Sequence, residues 1–82
     1  MKVGELLLTN KDKYTKAFLI HNDKETNNAV FMQIKDENID KDLIDKDAKD
    51  YFLLDNLAID EIFGNSDKLG ITDDDKVFII GI

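Results

Sequence analysis

An unbroken apolar segment at residues 77–82, with the sequence VFIIGI, limits the folds open to this chain more than any other feature. Consecutive apolar residues in a strand point alternately to both faces of a sheet, so both faces must be covered. We therefore expect a strand over residues 76–82 in a central position of a sheet, shielded by helices. An unpaired strand of this composition would favour aggregation.

Residues 14–35 predict a β-hairpin. Two segments rich in β-branched and aromatic residues, 14–21 and 29–35, are separated by a cluster of turn-forming residues at 22–28. Two such segments around an Asn- and Asp-rich connection are typical of two antiparallel strands with a long loop. The hairpin is expected to lie beside the C-terminal strand.

Residues 38–63 predict helical structure, as two consecutive helices. At 100° per residue, one apolar stripe is formed by Ile44, Ala48, Tyr51 and Phe52. Asp55 is a suitable N-cap for a second helix, which Gly64 would end. A strand over residues 57–60 is the competing interpretation. Residues 2–8 also fit a helix or a strand, and a helix is favoured because Glu5 and the leucines are good helix formers.

The fold predicted from these segments is one α+β domain over residues 1–82. It has a small antiparallel or mixed sheet of three or four strands, made of the hairpin 14–35 and the C-terminal strand 76–82. One or two helices, at about residues 39–63, cover one face. A length of 82 residues is sufficient for one domain with a modest core.

The inventory of reactive side chains argues against an enzyme, and we predict no catalytic residue and no cofactor. The chain has no cysteine, and His21 and Ser66 are its single histidine and serine. A Ser–His pair would require these two residues to meet, and a zinc site would lack thiolates. His21 is interpreted as the end of a strand. The neighbouring carboxylates Asp60 and Glu61 are interpreted as an exposed helical turn.

The charge of the chain is negative and unevenly distributed. The net charge is −7 and all eleven basic residues are lysine. Without arginine and clustered positive charge, direct binding to nucleic acid is not expected. Residues 1–35 hold six lysines and four acids, a net of +2, whereas residues 36–82 hold five lysines and fourteen acids, a net of −9. Any acidic surface therefore belongs mainly to the second half.

An acidic surface of this kind predicts a protein partner. Within the predicted helix, Asp42 and Asp45 lie four residues before Lys46 and Lys49, which partly neutralise them. The acidic residues that are less obviously matched are the predicted partner-binding residues: Asp36, Glu37, Asp55, Asp60, Glu61, Asp73, Asp74 and Asp75. The alternative is that these carboxylates only keep the protein soluble, and that residues 73–75 are a charged turn guarding the strand that follows.

Three functional hypotheses follow. The first is a non-catalytic protein-binding module. More specifically, it would be an inhibitor that covers a basic nucleic-acid-binding surface, as phage anti-defence and nuclease-immunity proteins do. The second is a structural or assembly subunit in which two chains, as in a homodimer, pair through their C-terminal strands.

The abundance of lysine, asparagine and isoleucine is typical of AT-rich coding sequences in low-GC bacteria and their phages. A cytoplasmic location without membrane contact is expected, since no signal-peptide or membrane-spanning pattern occurs.

The third hypothesis is a calcium-binding protein. Oxygen-bearing side chains alternate from residue 36, as they do in an EF-hand loop. They are Asp36, Asn38, Asp40 and Asp42. Lys41 stands where that loop needs glycine, and Asp47 stands where it needs a bidentate glutamate. A solvated helix start is the better interpretation, and no metal site is predicted.

Overall fold

The computed structural model describes residues 1–35, 41–64 and 66–82. Along the described chain the elements are α1 (Val3–Thr9), β1 (Lys16–Asn22), β2 (Ala29–Ile34), α2 (Lys41–Ile44), β3 (Asp50–Asp55), α3 (Asn56–Ile62) and β4 (Lys76–Gly81). The strands form a mixed sheet in the order β2-β1-β4-β3. The predicted α+β class is thus confirmed. None of the described helices has the length and apolarity needed to cross a membrane.

Strand β4 occupies the central position expected from its apolar sequence. It pairs in parallel with β1 and antiparallel with β3, and Val77 to Ile80 are each at most 1% exposed. Since both edges of β4 are already hydrogen-bonded within the chain, this strand has no open edge. The expectation that chains could pair through the C-terminal strand is therefore wrong in that detail.

Strands β1 and β2 form the predicted hairpin. They pair antiparallel, with Ala17 opposite Ile34 and Asn22 opposite Ala29. In the connection, Asp23 N–H donates to the Asn28 carbonyl at 2.9 Å and the Asp23 carboxylate accepts from Glu25 N–H. Asn27 has a φ of 57°, in the left-handed region that asparagine tolerates better than most residues. The turn residues thus close the loop as their type predicts.

Helices cover both faces of the sheet, so the prediction of helices on one face is wrong. One cluster joins α1 to the first face through Val3, Leu6, Leu7, Ala17, Leu19, Phe78 and Ile80. The other cluster joins α3 and the following loop to the second face through Phe18, Ile59, Ile71, Val77 and Ile79. The physical reason lies in β4 itself, since its consecutive apolar side chains project to both faces and each face needs a cover.

Residues 50–55 form an edge strand, and the prediction of a helix there is wrong. Tyr51 and Phe52 were assigned to a helical stripe with Ile44 and Ala48, but α2 ends at Ile44 and β3 begins six residues later. Tertiary pairing decides the outcome: β4 requires a partner on its second edge, and a run of aromatic and aliphatic residues pairs well there. Only the first turn of the longer predicted helix is present in the described chain, as α2.

The predictions for α1 and α3 are confirmed. The leucine-rich opening forms helix α1. Helix α3 is capped by Asp55, whose Oδ1 accepts a hydrogen bond from Ala58 N–H at 2.8 Å. Gly64 follows the end of α3 with a φ of 68°, a conformation that glycine adopts without steric cost. The alternative of a strand at 57–60 is wrong, because the cap starts a helix at Asn56.

Candidate functional site

The predicted acidic residues occupy different environments. Asp36 and Glu37 lie outside the described residues, as do Asn38 and Asp40 of the calcium hypothesis. Among the residues that are described, no group of three potential metal ligands occurs. Asp74 and Glu61 are exposed. The remaining four carboxylates each accept hydrogen bonds within the chain.

The Asp75 side chain makes an ion pair and hydrogen bonds with residues at the start of β1 and in its own turn. Its carboxylate pairs with Lys16 Nζ at 2.7 Å and accepts hydrogen bonds from Thr72 N–H and Thr15 Oγ1. The lysine, then the backbone N–H and the threonine hydroxyl, hold the pKa of Asp75 well below its usual range. Because its charge is matched internally and its side chain is 13% exposed, Asp75 is poorly placed to bind a partner.

Asp60 organises the loop after α3. Its Oδ1 accepts hydrogen bonds from both the hydroxyl and the backbone N–H of Ser66, which is 1% exposed. The serine hydroxyl is therefore enclosed and bonded to a carboxylate. The structure gives Ser66 the role of a buried loop anchor.

His21, the other residue of the Ser–His pair considered from the sequence, lies near the end of β1 and is exposed.

Two predicted acidic residues are brought together at one end of β3. Asn56, the first residue of α3, donates from Nδ2 to Asp73 Oδ1 at 2.8 Å, and so holds Asp73 beside Asp55. With the exposed Leu57, these residues line a shallow depression of about 270 Å³. Asn56 Oδ1 is buried and receives no hydrogen bond from the described part of the chain. This end of β3 is thus rich in hydrogen-bond acceptors.

The outer edge of β3 is the feature that sequence reasoning missed. One side of β3 pairs with β4, and no strand of the described chain pairs with the other side. Tyr51, Phe52 and Leu53 are 52%, 49% and 47% exposed. Edge strands are normally protected by charges, proline or bulges, but the four central residues of β3 are all apolar. The signal was present in the sequence as four consecutive apolar residues between two aspartates.

Apolar side chains are exposed on both faces of this strand. Tyr51 and Leu53 are in register with Ile80 and Phe78 on the α1 face, and the Tyr51 ring meets Phe78 edge-on with centroids 6.0 Å apart. Phe52 lies on the α3 face, in register with Ile79. Large apolar side chains are therefore exposed on each face, on either side of the open backbone edge. We call β3 with its open side the β3 edge.

Carboxylates stand at both ends of the β3 edge. Asp50 begins the strand, and its side chain leans over Gly81, where a larger residue would leave it no room. Asp55 ends the strand beside Asp73. None of these three carboxylates has a lysine within ion-pair distance among the described residues. The site is thus an apolar strand with a carboxylate at each end.

No family model, curated protein or solved structure matches this chain.

Proposed function

We propose that this chain is an acidic, non-catalytic protein-binding module that binds its partner at the β3 edge. The observation that carries this proposal is an open edge strand with three half-exposed large apolar side chains, Tyr51, Phe52 and Leu53. Several large apolar side chains exposed side by side on a small protein are typical of an interaction site. Aromatic side chains contribute large contact areas at interfaces, which makes Tyr51 and Phe52 the expected anchors.

The partner proposed is a basic protein. The net charge of −7 attracts a positively charged surface, speeds its association and disfavours acidic competitors. Lys16 and Asp75 are paired with each other, whereas Asp50, Asp55 and Asp73 have no lysine partner within the described residues. A nucleic-acid-binding protein offers such a surface, and a module that covers it would inhibit nucleic-acid binding.

Assembly through the C-terminal strand is not part of this proposal, because β4 is paired on both sides. The second sheet edge, β2, is a weaker candidate. Its exposed large apolar residues, Val30 and Met32, are 38% and 40% exposed, less than those of β3. Strand β2 therefore provides a matched control for β3.

The test is a selection of short random peptides that bind the wild-type chain, followed by binding to two variants. Phe52→Lys places a charge on β3 at a position that is 49% exposed, and Val30→Lys places the same charge on β2 at a position that is 38% exposed. We expect selected peptides rich in lysine or arginine and in β-branched residues. They should lose affinity for the Phe52→Lys variant and keep it for the Val30→Lys variant. Circular dichroism of both variants verifies that the fold is retained.

Three results would contradict the proposal. The first is a selection that yields no specific peptide. The second is a set of peptides that bind the two variants equally well. The third is an affinity that does not change with ionic strength, since exposed charges act less strongly as salt screens them.

A further inference from the structure

We infer that the partner contributes an extended strand to the β3 edge, and that this strand carries a lysine or arginine beside Asp50 and another beside Asp55. The inference rests on the proposed function and adds two properties to it. One is the backbone conformation of the bound segment, and the other is the spacing of its positive charges.

The backbone of β3 favours a strand as its ligand. In an antiparallel pair such as β3 and β4, about half of the backbone N–H and C=O groups of each strand point away from the neighbour. An added strand satisfies these groups along its whole length and places alternate side chains on the two faces of the sheet. Tyr51 on one face and Phe52 on the other would then contact successive partner side chains.

The ends of β3 determine the charges of that strand. Asp50 and Asp55 are five residues apart, which at about 3.3 Å per residue separates them by about 17 Å along the strand. A partner strand therefore needs two basic residues with four residues between them. Because a carboxylate stands at each end, this requirement is the same for a parallel and an antiparallel partner.

The Asp55 end of the β3 edge offers a basic partner side chain more contacts than the Asp50 end does. Lys76 lies opposite Asp55 on β4 but is not within ion-pair distance of it, so no ion pair with Lys76 occupies the Asp55 carboxylate. Asp73 supplies a second carboxylate, and Leu57 is 71% exposed beside them. The aliphatic stem of a partner lysine or arginine can lie along an exposed leucine while its charged group reaches the carboxylates.

Charge also excludes a second copy of this chain as the occupant. Two β3 strands paired antiparallel about a central two-fold axis would place Asp50 of each chain opposite Asp55 of the other. Like charges directly opposite destabilise a strand pair, and here they would occur twice. Each copy also carries a net charge of −7. A basic strand from a different protein fits the same edge without this repulsion.

The test uses synthetic capped peptides and the amide NMR signals of the full chain. The probe peptide is Lys-Val-Thr-Val-Thr-Lys. One control replaces both lysines with serine, a second replaces both with aspartate, and a third, Lys-Lys-Val-Thr-Val-Thr, keeps the charge but not the spacing. The protein variant Asp50→Asn/Asp55→Asn removes both carboxylates, and asparagine at residue 55 keeps the N-cap of α3.

We expect the probe peptide to shift the β3 amide signals with an affinity roughly three- to ten-fold higher than that of the serine peptide, as two opposite-charge pairs allow. The aspartate peptide should bind more weakly than the serine peptide, and the peptide with adjacent lysines should bind more weakly than the probe. The preference for the probe should disappear in the Asp50→Asn/Asp55→Asn variant.

The outcomes separate the two proposals. If the serine peptide, or the peptide with adjacent lysines, shifts β3 signals as strongly as the probe does, the charge spacing is wrong and the β3 edge remains a binding site. A preference for the probe that persists in the Asp50→Asn/Asp55→Asn variant likewise overturns the charge spacing alone. If no peptide shifts the β3 signals, or if the shifts occur along β2, both the inference and the proposed function are wrong.

Discussion

Lys16 and Asp75 form an ion pair, with Nζ and Oδ2 2.7 Å apart, that joins the start of β1 to the residue before β4. The two residues are 59 positions apart in the chain, and they meet where the two central parallel strands begin. Thr15 Oγ1 donates to the same carboxylate and accepts from Lys76 N–H. This group of contacts aligns β1 with β4 at the start of their ladder, where Lys16 is in register with Val77.

The Asp75 carboxylate makes the stability of the fold depend on pH. Its pKa in the folded chain is lowered, chiefly by Lys16. The unfolded chain therefore takes up the proton first as the pH falls. The stabilisation is present above the unfolded value of about 3.9 and is lost as the pH falls below it towards the folded pKa. We expect Asp75→Asn to be less stable than wild type at pH 6, with a difference that shrinks towards pH 2, measured by thermal unfolding.

Asp74→Asn is the matched control for this prediction, because it removes the charge of the adjacent, exposed carboxylate. Its unfolding temperature should follow that of wild type over the same pH range. An Asp75→Asn variant with wild-type stability at pH 6 would show that the contacts with Lys16, Thr15 and Thr72 contribute little.

The bond between Asp60 and Ser66 predicts an asymmetry between neighbouring acidic residues. Replacing Asp60 with alanine leaves the buried Ser66 hydroxyl and N–H without their acceptor. An unsatisfied buried donor costs about 1–3 kcal/mol, so the free energy of unfolding should fall by that amount. Glu61→Ala, at the next and exposed position, should change it by less than about 0.5 kcal/mol. Equal losses in urea denaturation would contradict the anchoring role of Asp60.

Two substitutions at Asp55 separate its structural role from its charge. Asp55→Ala removes the acceptor of Ala58 N–H, and we expect a loss of about 1 kcal/mol in unfolding free energy. Asp55→Asn retains an effective N-cap, so its stability should be close to that of wild type. Chemical denaturation measures both variants. If Asp55→Asn is as unstable as Asp55→Ala, the charge of Asp55 matters to α3 itself, and charge and cap cannot be separated there.

The aspartates that end β3 should also keep the chain from pairing with itself. With Asp50 and Asp55 both replaced by asparagine, the repulsion between two β3 edges disappears while Tyr51, Phe52 and Leu53 stay exposed. We expect greater self-association of this variant than of wild type in sedimentation velocity at neutral pH. A wild-type chain that dimerises through β3 at the same concentration would contradict the assigned role of these charges.

The parts of the fold that local patterns specify were predictable, and the parts that depend on pairing were not. The apolar run at Val77 to Ile80 indicates a central strand because both of its faces must be buried. The cap at Asp55 marks the start of α3 by a local hydrogen bond. In contrast, Tyr51 and Phe52 fit both a helical stripe and a strand. Their state depends on pairing with β4, which lies far from them in the sequence.

The candidate site was also predictable only in part, because its charge is evident from the sequence and its geometry depends on tertiary contacts. Negative charge in the second half of the chain is evident from composition, but the meeting of Asp73 with Asp55 depends on the hydrogen bond from Asn56. The structural use of Asp60 and Asp75 depends on a buried serine and on a lysine 59 residues away, respectively. Exposure of β3 follows from the order of strands in the sheet, which no single segment determines.

Amide hydrogen exchange of the chain, alone and saturated with the lysine-flanked peptide, tests the binding role of the β3 edge most directly. We expect about half of the β3 amides, those pointing away from β4, to gain protection, because an added strand supplies their hydrogen-bond acceptors. The β2 amides should exchange as in the free chain. Unchanged exchange in β3, or new protection along β2, would contradict the assignment of β3 as the binding edge.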